Sequence, residues 1–197
     1  MSVRRLWIIV CALTLALGLA ACGDHHPHLS GTSGNEHNAA NANNNGGYVD
    51  AGPITYQLQI SRELNLYSAE DSAYVKGLPI GTAAPTASQL WYGVFLWAKN
   101  QTGRPQTTSD NFMIQDTQGN TYYPIKLNPE INPLAWTAQT LEPLNTEPAP
   151  DTLMSEDSTQ GGLVLFKVSS SVFANRPLIF YILSPAGRKI GSISLDL

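Results

Sequence analysis

The stretch from Leu90 to Asn100, LWYGVFLWAKN, constrains the fold more than any other part of the chain. Read at a period of two, Leu90, Tyr92, Val94, Leu96 and Ala98 point one way, while Trp91, Gly93, Phe95, Trp97 and Lys99 point the other. Both sides carry apolar bulk. This is a central strand with its second face either covered or used for binding, because a bare face of that size is rare on a soluble monomer.

Other strands fall around it. Ile54–Ser61 alternates apolar and polar residues over eight positions, the pattern of a strand with one core face and one wet face. Asn111–Asp116 and Thr121–Ile125 flank the turn Thr117–Asn120 and read as a hairpin. Gly162–Val168, Leu178–Leu183 and Ile190–Leu197 are apolar runs of strand length, and Ser184-Pro185-Ala186-Gly187 turns the second back onto the third. Glu63–Ser88 reads as an irregular connection with one short strand near Ala73-Tyr74-Val75. Lys126–Gly161 holds Pro129, Pro133, Pro143, Pro148 and Pro150, too many for a helix or a central strand. An irregular stretch of that length is either functional or wraps part of the core. No helical stripe persists over three turns beyond the N-terminal region. The fold class expected is therefore all-β: an antiparallel sandwich of about seven strands over residues 54–197.

The N-terminus follows different rules. Arg4 and Arg5 precede an apolar run from Leu6 to Leu19, then the small residues Ala20 and Ala21 and a cysteine, Cys22. That is the layout of a removable export signal over residues 1–21. The apolar run of about 14 residues falls short of the roughly 20 that a membrane-crossing helix needs. Leu19-Ala20-Ala21-Cys22 resembles the lipobox of bacterial lipoproteins. The resemblance implies a diacylglycerol on the Cys22 thiol, cleavage just before it, and a chain held at the extracytoplasmic face of the cell membrane. Acyl chains would supply that hold, each buried methylene contributing about 0.8 kcal/mol. The alternative is an ordinary secretory signal that leaves Cys22 unmodified.

Residues 22–53 read as a tether. Gly23–Gly47, GDHHPHLSGTSGNEHNAANANNNGG, has almost no large apolar side chain and cannot bury enough surface to offset the cost of ordering, so disorder is expected. All four histidines of the chain, His25, His26, His28 and His37, lie here. With Asp24 and Glu36 they are candidate ligands for Zn²⁺ or Cu²⁺, as short His-rich tracts are. Their spacing matches no defined zinc pattern and an unstructured site must be ordered on binding, which favours a polar spacer.

Composition removes several function classes. The chain carries 11 Lys plus Arg against 15 Asp plus Glu, a formal charge of −4, which becomes −6 once Arg4 and Arg5 leave with the signal. No basic cluster is present, which argues against nucleic acid as a partner and against electrostatic docking on anionic lipid. Cys11 lies in the signal and Cys22 at the cut, so the domain must hold together without a disulfide. From Ile54 onward there is neither histidine nor cysteine, which removes Ser-His-Asp, Cys-His and His-bearing metal catalysis. A glycosidase-type carboxylate pair is what remains, drawn from Glu63, Glu70, Asp71, Asp110, Asp116, Glu130, Glu142, Glu156 and Asp157. Most of these sit in turns and polar loops, where solvated carboxylates are the ordinary expectation. No cofactor is expected.

Several short motifs recur in a known order. A strand ending in Asn (Val94–Asn100), Phe112-x-Ile114, Gly119-Asn120-x-Tyr122, Leu141-Glu142-Pro143 and Gly162-x-x-x-Phe166 resemble the telokin-like Ig domains of actinobacterial and firmicute lipoproteins. The resemblance spans most of Leu90–Leu197. It implies an Ig-like sandwich outside the cell and brings no catalytic residues. A binding role would fall to Trp91, Phe95 and Trp97 on one face of the central strand, with Trp136 and Tyr123 in or beside the long loop, stacking on an envelope glycan or anchoring an envelope protein. The competing expectation, which the rarity of exposed apolar patches favours, is that the proline-rich segment folds over this face with Trp136 in the lid. The expected protein is a lipid-anchored, extracytoplasmic Ig-like module of binding or structural type.

Overall fold

The computed structural model describes residues 47–195 together with the backbone of Ala40–Asn43. Its strands in chain order are β1 (Ala40–Asn43), β2 (Tyr48–Ala51), β3 (Ile54–Glu63), β4 (Gln89–Asn100), β5 (Gln106–Thr107), β6 (Phe112–Gln115) and β7 (Thr121–Tyr122). They continue with β8 (Pro124–Ile125), β9 (Thr140–Leu141), β10 (Thr146–Glu147), β11 (Gly162–Ser169), β12 (Leu178–Leu183) and β13 (Lys189–Leu195). Two short helices interrupt them, α1 (Ala69–Tyr74) and α2 (Leu153–Glu156).

The strands form the sandwich that the apolar runs predict. One sheet has the order β1-β13-β12-β6-β7 and the other β2-β3-β4-β11-β8, with β10 also pairing β4. Pairing is antiparallel apart from β1, which lies parallel to β13 with Ala40 opposite Gly191. β4 is the centre of its sheet. β3 runs along one edge from Asn100 to Tyr92, β11 covers the other edge from Leu96 to Gln89, and β10 takes over that edge at Ala98 and Lys99.

The two faces of β4 separate two cores. Leu90, Tyr92, Val94, Leu96 and Ala98 face the opposite sheet and pack in one cluster with Phe112, Phe166, Phe180 and Ile182. Trp91 and Phe95 point outward, into a second cluster with Leu64, Tyr74, Leu127, Leu134 and Leu163. Period-two alternation predicts this division; the second cluster is what answers the apolar bulk on the outer side.

Four sequence expectations are corrected. Alternation along β3 breaks at Gln59: the register shifts between Leu58 and Ile60, so Ile60 sits opposite Phe95 and packs on the outer cluster. That bulge turns Ser61 inward, where its hydroxyl accepts from Tyr92 Oη at 3.0 Å. Ala73-Tyr74-Val75 is not a strand but the end of α1, capped by Ser68, whose hydroxyl accepts from Asp71 N. The hairpin of Asn111–Asp116 and Thr121–Ile125 holds only as far as Tyr122; β8 leaves for the other sheet and pairs with Leu165 and Phe166. Finally, the tether does not run to Pro53, because Tyr48–Ala51 pairs with β3 and buries Val49 and Ala51. The signal, Cys22, and His25, His26, His28 and His37 lie outside the described residues.

Candidate functional site

The aromatic face comes first, because it is where the sequence places a binding surface. Trp91 is 3% exposed and Phe95 is fully buried, while Trp97 is half-buried. The cover is built from α1 and the connections around it. Tyr74 meets Phe95 edge-on at 5.1 Å between ring centroids, and Leu127, Leu134 and Ala135 come from the proline-rich segment. Asn132 ties that segment down, its side-chain amide donating to Tyr74 O at 2.9 Å and Lys76 O at 3.1 Å. Lys167 closes the far end, its Nζ 5.7 Å above the Trp91 ring and 3.0 Å from Ala83 O. Trp91 and Phe95 are consumed by packing, so stacking a ligand on them would first require the cover to leave; the half-buried Trp97 belongs to neither cluster.

Trp136 does not join that cover. It crosses into the core between the sheets, 6.0 Å from Phe112 and 6.2 Å from Tyr56 between centroids. Trp136 N and Leu163 N donate to Leu163 O and Leu134 O at 2.9 Å and 2.7 Å, which pins the segment to β11 just where Gly162 leaves room for the indole. A narrow crevice beside it is lined by Phe112, Ile125 and Leu163, with the exposed Asp110–Lys126 ion pair of 2.7 Å among its walls. Tyr123 is exposed at 62% and belongs to neither cluster.

The structure gathers polar groups at one end of the sandwich instead. Thr108 Oγ1 donates to Glu147 Oε2 at 2.7 Å and accepts from Gln139 N at 3.1 Å. Next to it, Ser109 N donates to Tyr56 Oη at 2.6 Å, Ser109 Oγ donates to Leu183 O at 2.7 Å, and Trp136 Nε1 donates to Ser109 O at 2.8 Å. Two consecutive residues thus bind both sheets, the proline-rich segment and β10. Glu147 is 1% exposed, and its Oε1 has no hydrogen-bond partner. Burial pushes its carboxyl up to about 7, against the opposing influence of the Gln139 and Thr108 side chains. Burial likewise raises the Tyr56 hydroxyl, and the nearby Glu147 adds to it. Chemically this group can hold or release a proton, and the hydroxyl beside it, that of the buried Thr108, is already committed to Glu147 and Gln139.

Glu147 was not among the carboxylates singled out from the sequence. Thr146-Glu147-Pro148 sits in a segment that reads as exposed loop, and nothing local distinguishes it from Glu142 or Glu156. Of the carboxylates that were singled out, Glu63, Asp110, Glu130, Glu142 and Glu156 are exposed. Asp71 is buried and forked by Arg62, with N–O distances of 3.0 and 2.6 Å, and accepts from Asn65 N at 2.6 Å. Burial opposes its ionisation, yet these donors outweigh it and leave the carboxyl below its ordinary value. Glu70, exposed on the same helix, accepts from Tyr74 Oη at 2.8 Å and from Ser158 Oγ at 3.0 Å. Asp116 organises its turn, accepting from the backbone of Gln118 and Asn120 and from the amides of Asn120 and Asn175. Asp157, half-buried, accepts from Ser158 N at 2.7 Å, so Asp71, Glu70, Asp116 and Asp157 each have structural work. Among the described residues no group of three or more His, Cys, Asp or Glu is placed to hold a metal ion, and no helix is long and apolar enough to cross a membrane.

No protein-family model matches the chain, and no curated protein matches it. Among solved structures, the yjhA protein of Bacillus subtilis is similar at 10% identity and a TM-score of 0.45, over 78% of this chain and 99% of that one. A candidate lipoprotein of the same organism, ycdA, is similar at 12% identity and a TM-score of 0.44, over 76% of this chain but 38% of its own. An uncharacterized β-sandwich protein of Clostridium difficile 630 is similar at 10% identity and a TM-score of 0.43, over 84% and 99%. At such scores these likenesses decide neither family nor activity; the sandwich rests on the strand pairing described above.

Proposed function

We propose that this chain is a lipid-anchored envelope protein, with an Ig-like sandwich of the telokin-like kind serving as a non-catalytic binding or structural module. The anchor reading is supported by Leu19-Ala20-Ala21-Cys22 behind a charged and then apolar N-terminus. The observation that carries the module reading is the double burial of β4. Trp91, Phe95 and Trp136, which would form a ligand platform, are spent on two cores, and Asp71, Asp110 and Asp116 are spent on a helix, an ion pair and a turn. A folded region without histidine or cysteine also leaves few groups for proton transfer or covalent catalysis.

The intact mass of the membrane-fraction protein, beside a Cys22→Ser control, tests the anchor. The expected result is a chain beginning at Cys22 and heavier by a diacylglyceryl group, with the control lacking that gain. A soluble chain with an unmodified Cys22 would overturn the lipid anchor and leave a secreted module.

A further inference from the structure

We propose that Glu147 is a proton-operated latch: as a neutral acid it holds the strap from Gln139 to Asp151 against the end of the sandwich, and on losing its proton it releases that strap. The inference is independent of the lipid anchor.

The geometry supports both halves of this statement. The strap is tied in two places, at β9 near its start and at β10 further on. Its ladder on β4 is two residues long, Thr146 opposite Lys99 and Glu147 opposite Ala98. Around β10 it is held by Asn100 N to Asn145 O at 3.0 Å and Leu144 N to Asn100 O at 2.9 Å, and around β9 by the two-residue ladder to β5, Asn100 Nδ2 to Leu141 O at 2.9 Å, Thr108 N to Gln139 O at 3.0 Å and Gln139 N to Thr108 Oγ1 at 3.1 Å. Leu144 and Asp151 bracket β10 with φ of 68° and 60°, left-handed conformations that a non-glycine residue adopts only when its surroundings impose them. The Glu147 side chain supplies the buried end of that attachment.

Among the described residues no cation is paired with the Glu147 carboxyl. Thr108 contributes a hydroxyl, Gln139 an amide, and β3 the Tyr56 phenol, which burial keeps neutral. On β4 the opposing residue is Ala98; Lys99, next to it, is exposed and points to the other side of the sheet. Asp110, two residues past Thr108, is already paired with Lys126 in solvent. A carboxylate in this place would have the Thr108 hydroxyl and the Gln139 amide as donors and no paired cation, and lifting β10 away would hydrate it. Lifting would uncover Leu141, now 4% exposed, at the margin of the main core. The proton affinity accords with this, since the carboxyl is pushed up to about 7.

Amide hydrogen exchange on the full chain between pH 5.5 and 7.5, corrected for the intrinsic pH dependence of exchange, reads the opening directly. The amides of Asn100, Thr108 and Leu144 are expected to open roughly twenty-fold more at the higher pH, as a single site titrating between its exposed and buried values requires. Amides of the β12–β13 ladder are expected to hold constant, and Glu147→Gln is expected to flatten the response. An unchanged slope in Glu147→Gln, or a β12–β13 response in step with the strap, would overturn the latch. A carbon-13 titration of the Glu147 carboxyl in the unaltered chain needs no variant: a midpoint near 7 is expected, and an ordinary carboxylate midpoint near 4 overturns the proposal.

Discussion

A methyl group added at Gly162 would stand 2.6 Å from Cε3 of Trp136, closer than carbon atoms approach. Neither neighbour can yield freely. The indole is held by its hydrogen bond to Ser109 O, and Gly162 begins the ladder to Leu96. Gly162→Ala should therefore force the indole out of its place, with a cost of about 1–3 kcal/mol, typical of overpacking. The checks are the urea midpoint and the fluorescence of Trp136; an unchanged midpoint would mean that the ring repacks without loss. Gly161, its neighbour, is required for a different reason: φ is 109°, and a Cβ there would meet the backbone of Leu96 at 3.0 Å. At this scale the sequence told part of the story. The outward face of Trp91 and Phe95 was legible because alternation fixes direction along a strand. The inward turn of Trp136 was not, because direction in a loop depends on the partner that fills it. The isolation of Glu147 was not legible either, since burial of a loop carboxylate is decided by segments far away in sequence.

Element by element, the long apolar strands were readable and the short pieces were not. β4, β11, β12 and β13 carry their own signal in apolar runs of strand length. α1 has six residues, too few for a helical stripe to declare itself, and its Tyr74 is an outer-core residue in any secondary structure. What holds α1 in place is tertiary: Asp71 is forked by Arg62 from β3 and takes Asn65 N as well. Asp71→Asn breaks that fork and leaves Arg62 beside the Tyr74 ring without its partner. A loss of about 2 kcal/mol is expected, below the usual cost of breaking a fully buried pair because Arg62 keeps 29% of its side chain in solvent. Glu70→Gln on the same helix is the control. Its carboxylate is 46% exposed and 3.7 Å from Arg62, so the change should stay within about 0.5 kcal/mol. Urea titration of both variants decides the matter; equal losses would mean that the charge, rather than the buried fork, sets the position of α1.

For the whole molecule, these carboxylates pull stability in opposite directions with pH. Asp71, Asp116 and Glu70 are held below their ordinary values in the folded state. The unfolded chain binds their protons more readily, so the stability they contribute is present above about pH 4 and is lost as pH falls through their lowered values. Glu147 behaves in the reverse sense. Its folded value is raised from 4.5 to about 7, so the folded chain keeps the proton that the unfolded chain gives up. Its effect is most favourable below about pH 4.5 and declines as pH rises to about 7, where the penalty levels off at about 3 kcal/mol or less. The two trends together place the stability maximum in mildly acid solution, near pH 5, rather than at neutrality. Chemical unfolding at intervals from pH 3 to pH 9 should show a dome with a decline on its neutral side. Glu147→Gln should remove that decline while leaving the acid limb intact, because the acid limb belongs to carboxylates on α1 and the β6–β7 turn. If the unaltered chain were most stable near pH 7, the buried carboxyl would have to be compensated by a group that approaches it only in solution, and the end of the sandwich would then be held by charge instead of by a proton.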